Sequence, residues 1–229
     1  MHLAEIDSRI QAVGLILRGG FHPEPADQVS PLPDGRVVKT VVLVGNAGES
    51  MWKAYAQIDA HRDEPDPLNR WTREVLNPVA EQCSAHVLFP FDGPPFLPFQ
   101  RWAQRAESVT PSPIGPLIHP DYGLWHAYRA ALLFAALIEL PPFTPRPSPC
   151  ETCETRPCLA ACPVDALSPG RFDLKACRDH IAKVAGAECL HHGCLARRAC
   201  PIGREFMYVP GQMRFHMKAF LRSAKKRDS

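Results

Sequence analysis

The chain has 229 residues, of which 45% are hydrophobic and 22% charged, a composition that excludes disordered, collagen-like and coiled-coil proteins. Its 25 prolines and 14 glycines mark a loop-rich globular protein, short of the roughly 25–30% share that signals low complexity. The formal net charge of +2 sets up no overall field for nucleic acid or a membrane surface, so neither is an expected partner and a small molecule or a protein is.

No run of 18 apolar residues occurs, and Met1-His2-Leu3-Ala4-Glu5-Ile6-Asp7 carries acids where a signal peptide has a basic start. The expected location is therefore the cytoplasm. Leu3, Ile6, Ile10, Val13 and Leu17 step by three and four, which predicts an amphipathic first helix stopped by Gly19-Gly20. After the turn Pro33-Asp34-Gly35, the β-branched run Val37 to Val44 predicts a buried strand, and Gly45-Asn46-Ala47-Gly48 opens a helix from about Glu49 to Ala60. A further helix starts at Asp66-Pro67 with Leu68, Trp71, Val75 and Val79 on one face. Val87 to Phe91 reads as a short strand, Phe99 to Ala106 as a helix and Ile114 to His119 as a strand. The apolar run Leu124 to Leu140 suits a buried strand or a buried helix, with a strand expected for its first half. Pro141-Pro142, Pro145, Pro147 and Pro149 form a stiff connector, which places a domain boundary near residue 145, between domains 1–145 and 146–229. Met213, Met217, Phe220 and Ala224 mark a last helix ending in Lys225-Lys226-Arg227, cations that suit a helix C-terminus better than a nucleic-acid site.

Nine cysteines in a chain expected to meet a reducing cytosol read as metal ligands or redox thiols. Cys83 stands alone and is most simply a buried helix-end residue, whereas the other eight fall between Cys150 and Cys200. Cys150-x2-Cys153-x4-Cys158-x3-Cys162-Pro163 is close to the ferredoxin run C-x2-C-x2-C-x3-C-P, with two residues inserted before its third cysteine. In that run the fourth cysteine serves the other cluster. A second set exists in Cys177, Cys189, Cys194 and Cys200, closed by the same Cys-Pro dipeptide at Pro201. Crossing then assigns Cys150, Cys153, Cys158 and Cys200 to one [4Fe-4S] cluster and Cys162, Cys177, Cys189 and Cys194 to the other. The alternative is one or two structural zinc sites, but zinc ribbons pair two C-x2-C knuckles and only Cys150/Cys153 has that spacing. His191-His192 could replace a ligand in the second set and otherwise are loop residues.

His119, between Ile118 and Pro120 and followed by Tyr122, Gly123, Trp125 and Arg129, concentrates an imidazole, aromatic faces and a cation near a glycine. Such a set suits a flat cofactor with carboxamide edges. The alternative is a core segment in which His119 is hydrogen-bonded and Arg129 pairs with Asp121 or Glu107. Gly45 and Asn46 could present backbone N–H groups to an anion such as a phosphate tail, or simply serve a turn.

Together Leu43 to Trp52, Asp66-Pro67-Leu68 and Pro113 to Arg129 resemble cobalamin-processing proteins of the CblC type, which share the order Ile-His-Pro, Gly-x-Trp and a following Arg. The cysteine region, with Phe172 to Cys177 between two Cys-Pro motifs, is similar to the ferredoxin end of epoxyqueuosine reductases and reductive dehalogenases. The resemblance implies an α+β, nitroreductase-like corrinoid-binding core followed by a ferredoxin-like double [4Fe-4S] module. It further implies base-off cobalamin as a cofactor, lined by Gly45, Asn46, Ile118, His119, Tyr122, Gly123, Trp125 and Arg129. The displaced third cysteine, the loose second set and the short chain depart from the reductase pattern. The expected function is an iron-sulfur, cobalamin-dependent reductase or cobalamin-processing protein fed by an electron-donor protein and acting on a small-molecule substrate or on cobalamin itself. The rival is a ferredoxin-like electron-transfer partner with a docking domain and no corrinoid.

Overall fold

The computed structural model describes residues 1–58 and 65–225. In chain order the elements are α1 (Leu3–Ala12), β1 (Ile16–Phe21), β2 (Thr40–Ala47), α2 (Ser50–Ala56), α3 (Pro67–Gln82), β3 (His86–Leu88), α4 (Phe99–Ala106), β4 (Thr110–Pro111) and β5 (Leu117–Ile118). They continue with β6 (His126–Phe134), α5 (Pro157–Ala160), β7 (Leu167–Ser168), β8 (Arg171–Phe172), α6 (Leu174–Ile181), α7 (Ala187–His192), α8 (Leu195–Arg198) and α9 (Pro210–Lys225). The chain divides into two compact units, Met1–Ser108 with His126–Pro145, and Val109–Trp125 with Arg146–Ser229. The segment Val109–Trp125, placed by the sequence in the first domain, therefore groups with the cysteine region.

The first unit is an antiparallel sheet of order β1-β2-β6-β3 with helices against it. Every residue of β2 from Thr40 to Asn46 is buried, as befits a strand paired on both edges and covered on both faces. Helix α1 stops at Gly14, whose φ of 79° suits glycine and whose N–H bonds the Gln11 carbonyl. The helical period running on to Leu17 is thus fortuitous, and the Gly19-Gly20 pair lies inside β1. There Leu17 pairs with Val44 and Gly20 with Val42, so β1 carries one extra residue, a bulge at Arg18-Gly19. Gly19 has φ 67°, and a Cβ on it would press on the Ala106 carbonyl. Gly45-Asn46-Ala47 is strand rather than a helix-opening turn, and α2 begins only at Ser50. Ala60, the expected end of that helix, and Lys226-Arg227 of the basic tail lie outside the described residues.

Helix α3 begins at Pro67 and buries Leu68, Trp71, Leu76 and Val79, while Val75 is only half-buried. Cys83 closes it as a buried C-cap. The apolar run after Leu124 is a strand over His126–Phe134, with its buried residues against β2 and β3.

The second unit has little regular structure: the two-residue pairs β4–β5 and β7–β8, and short helices before the 16-residue α9. Its core is correspondingly small, with Ile114, Ile118, Leu124, Ala196 and Cys200 in one cluster and Trp125, Tyr208 and Met213 in another. Asp173 caps α6 by accepting from the Ala176 N–H at 2.9 Å. Two backbones cross closely here: a Cβ on Gly123 would strike the Ile202 carbonyl, and one on Gly203 would strike Tyr122.

Candidate functional site

The eight clustered cysteines line two cavities of the second unit, four to each. Cys150, Cys153, Cys158 and Cys200 line one, together with Ile118, Pro149, Pro157 and Pro201. Cys162, Cys177, Cys189 and Cys194 line the other, a space of about 470 Å³. Short elements present them: Cys158 lies on α5, Cys177 on α6, Cys189 on α7, and Cys194 is the N-cap of α8.

Electrostatics follow the same grouping. Burial pushes the Cys150 thiol up, and the next contributions come from Cys200 and Cys158. Burial likewise pushes Cys177 up to about 11, helped by Cys194, Cys162 and Cys189. Thiols of this kind resist ionisation until a cation compensates the thiolate charge. Backbone donors reach the sulfurs, as the Ala166 N–H does to Cys162 Sγ at 3.3 Å. Four thiols around one cavity, with N–H groups directed at sulfur, fit the donor set of an iron-sulfur cluster. Among the described residues no three His, Cys, Asp or Glu side chains form a group that holds a metal ion as it stands. His191 and His192 sit on α7, where His192 Nδ1 lies 3.0 Å from Glu188, and line neither cavity.

The residues expected to line a flat cofactor divide between the units. Ile118, His119, Tyr122, Gly123 and Trp125 belong to the second, and Gly45, Asn46 and Arg129 to the first. His119 Nδ1 accepts from the N–H groups of Asp121 and Tyr122 at 3.0 and 3.2 Å, which places the ring proton of the neutral imidazole on Nε2. Its ring stacks on Tyr122 at 4.4 Å and 22°. Ile118 is buried beside the first cysteine set. Trp125 is 1% exposed, with Arg197 over its face at 4.5 Å and Tyr208 against its edge. Gly123 is required by the backbone crossing at Ile202.

In the first unit Arg129 is an extra residue of β6, because Val44 pairs with Ala130 and Gly45 with Tyr128. Bulges commonly redirect a side chain in this way. Its Nη2 donates to Thr72 Oγ1 at 2.7 Å, to Asn69 Oδ1 at 3.1 Å and to the Leu68 carbonyl at 3.3 Å. The acids suggested as its partners are taken by other arginines, Asp121 by Arg146 and Glu107 by Arg18. Gly45 lies against the Ala127 carbonyl, where no Cβ fits, and the Asn46 carbonyl accepts from Arg18 Nη1 at 3.3 Å.

Sequence reasoning missed this Arg18 network. Arg18 is 1% exposed, pairs with Glu107 through two hydrogen bonds at 2.9 and 3.1 Å, and approaches His126 Nδ1 and the Tyr128 ring. Burial pushes the Tyr128 phenol well above its ordinary value. Arg18 and Glu107 are 89 positions apart, and no local pattern joins them.

The α+β fold built in this way is shared with solved reductases and with a B12-trafficking protein. An epoxyqueuosine reductase superposes with TM-score 0.54 at 15% identity, covering 92% of this chain and 68% of that one. The epoxyqueuosine reductase of Streptococcus thermophilus gives 0.51 at 15%, covering 88% and 66%. The B12-trafficking protein CblC of C. elegans gives 0.51 at 14%, with 95% of each chain covered. A catabolic reductive dehalogenase aligns more weakly, at TM-score 0.48 and over 34% of its length. No protein-family model and no curated protein sequence matches the chain. Among the described residues no helix is long and apolar enough to cross a membrane.

Proposed function

We propose that the chain is an iron-sulfur corrinoid protein, an oxidoreductase or cobalamin-processing protein in which two [4Fe-4S] clusters serve a base-off cobalamin. The observation that carries this reading is the division of eight cysteines into two sets of four around two cavities, in a fold shared with epoxyqueuosine reductase and CblC. Cys150, Cys153, Cys158 and Cys200 hold one cluster, and Cys162, Cys177, Cys189 and Cys194 the other. When bound, the clusters supply one-electron transfer and the corrinoid supplies cobalt chemistry.

The chain's own residues position and shield these groups. His119, with Nδ1 occupied by two backbone donors, is not set up to ligate cobalt through Nδ1. Tyr122, stacked on His119, supplies an apolar wall. Arg129, steadied by Thr72, Asn69 and the Leu68 carbonyl, supplies a fixed cation for an anionic substrate or cosubstrate. The domains in this reading are a first unit that supplies Arg129 and a second unit that binds the clusters and includes residues 109–125.

Anaerobic purification followed by iron and sulfide analysis and then titration with hydroxocobalamin tests the proposal. About eight iron and eight sulfide per chain, and a change to a base-off cobalt spectrum, are expected. Zinc without sulfide rejects the clusters. Full clusters with an unaltered cobalamin spectrum at micromolar concentrations favour instead the rival, an electron-transfer partner without corrinoid.

A further inference from the structure

Two arginines stand beside the second cysteine cavity, one in its lining and one next to a thiol. Among the described residues Arg197 of α8 is the one permanently charged side chain that lines it, and no carboxylate does. Its Nε donates to the Leu124 carbonyl at 2.9 Å, and its guanidinium rests 4.5 Å from the centre of the Trp125 ring and 4.7 Å from that of Tyr208. Arg178 follows Cys177 on α6 and lies 5.9 Å over the ring of Phe220, which lines the cavity. The Arg178 Nε is buried without a hydrogen-bond partner. Burial dominates the Cys177 thiol, yet the Arg178 charge already acts on it and favours the thiolate.

Both arginines are half-buried, and neither has a counter-ion among the described residues. The nearby acids are engaged elsewhere or open to water: Asp173 caps α6, Asp179 pairs with Lys175 at 2.6 Å, and Asp165 is exposed. Removing a cation from water costs free energy that an anionic neighbour normally offsets. A cluster held by four thiolates is such a neighbour, and reduction makes it more negative, so cations beside it favour the reduced form. The first cavity is lined by one arginine as well, Arg156, but that side chain is exposed, where water and salt screen its charge.

We infer that Arg178 and Arg197 hold the reduction potential of the second cluster above the value that its four cysteines alone would give. The inference rests on the cluster reading of Cys162, Cys177, Cys189 and Cys194. It adds a means by which the two clusters are poised separately, since neither arginine lines the first cavity. On reduction one electron enters the oxidised cluster from a reductant such as dithionite, and no bond or proton moves.

The test is a redox titration of the cluster-loaded full chain followed by electron paramagnetic resonance. It is run at about pH 8, above the ordinary histidine range, because His180 and His216 also line the cavity. The proteins are wild type, Arg178→Gln, Arg197→Gln, the double Gln variant, the double Lys variant Arg178→Lys/Arg197→Lys, and Arg171→Gln, which removes an exposed cation next to the lining residue Phe172. Each single Gln variant should make one of the two clusters several-fold harder to reduce, and the double about tenfold, which is about 59 mV for a one-electron couple. The other potential should move far less, and the double Lys variant and Arg171→Gln should stay close to wild type. Loss of one cluster from the double Gln variant but not from the double Lys variant supports the proposal too, as the same need for charge read through cluster retention. Unchanged potentials in the double Gln variant overturn it. So do an equal shift of both clusters, a fall in the double Lys variant as large as in the double Gln variant, or loss of iron from both. Wild-type protein without about eight iron per chain instead overturns the cluster reading, a result distinguishable because iron is counted before any potential is measured.

Discussion

Glu107→Ala should unfold the first unit far more readily than its position at the end of α4 would imply. Arg18 is 1% exposed, so without Glu107 its charge stays in the interior, with the Asn46 carbonyl, His126 Nδ1 and the Tyr128 hydroxyl among its remaining partners. Two charge-assisted hydrogen bonds disappear, each worth about 1.5–3 kcal/mol, and breaking a buried pair by removing one partner costs about 3–5 kcal/mol. Glu107 is itself 14% exposed, so water enters part of the vacated space and the expected loss is about 3 kcal/mol. For a unit of this size that lowers Tm by about 10 °C. The measurement is thermal unfolding of the full-length chain followed by tryptophan fluorescence, because Trp71 and Trp102 are buried in this unit. Arg18→Met combined with Glu107→Leu removes both charges and should recover most of the loss. A Glu107→Ala variant within about 1 kcal/mol of wild type would refute the reasoning, since it would mean that Arg18 is solvated or re-paired at no cost.

Cys200→Ala should reduce iron to about four per chain and remove the cluster attributed to Cys150, Cys153 and Cys158, measured by iron analysis and electron paramagnetic resonance. Loss of the Cys177 cluster instead would overturn the crossed assignment. Gly123→Ala should destabilise the second unit by about 3 kcal/mol or more, through its positive φ of 56° and collision with the Ile202 carbonyl. Cluster retention on heating reads this out, and an unchanged melting profile would contradict the close crossing. Arg129→Gln should leave iron content at wild type but weaken the cobalamin spectral response about tenfold, the scale of one lost charged contact. An identical titration would remove Arg129 from the corrinoid site.

How far the fold could be read from sequence depended on whether the deciding contacts were local. Phe99–Ala106 is a helix with the expected limits because its apolar spacing and flanking prolines are enough. The strand at His126–Phe134 was likewise legible from its apolar run. Gly19-Gly20 was misread because its cause lies elsewhere in the chain, in the β1 bulge and the Ala106 carbonyl. Spacing and the repeated Cys-Pro closure divide the eight cysteines into two sets of four, and the same sets of side chains line two cavities. The arginine partners were not legible: Arg129 found neutral acceptors on α3, and Arg18 took Glu107, through contacts 57 to 89 positions apart.

The chain passes between its two units three times, at Ser108–Val109, Trp125–His126 and Pro145–Arg146. A single cut at the proline connector therefore separates no whole piece. A fragment ending at Pro145 would carry Ile114, Ile118 and Leu124 away from Ala196 and Cys200, the partners with which they are buried. The remainder would lose Ile118 from the wall of its first cysteine cavity. Expressed alone, such halves should be insoluble or poor in iron. In the same way, a recombination event joining this cysteine region to another core at that point would leave both of these hydrophobic clusters incomplete, since Trp125 would also part from Tyr208 and Met213.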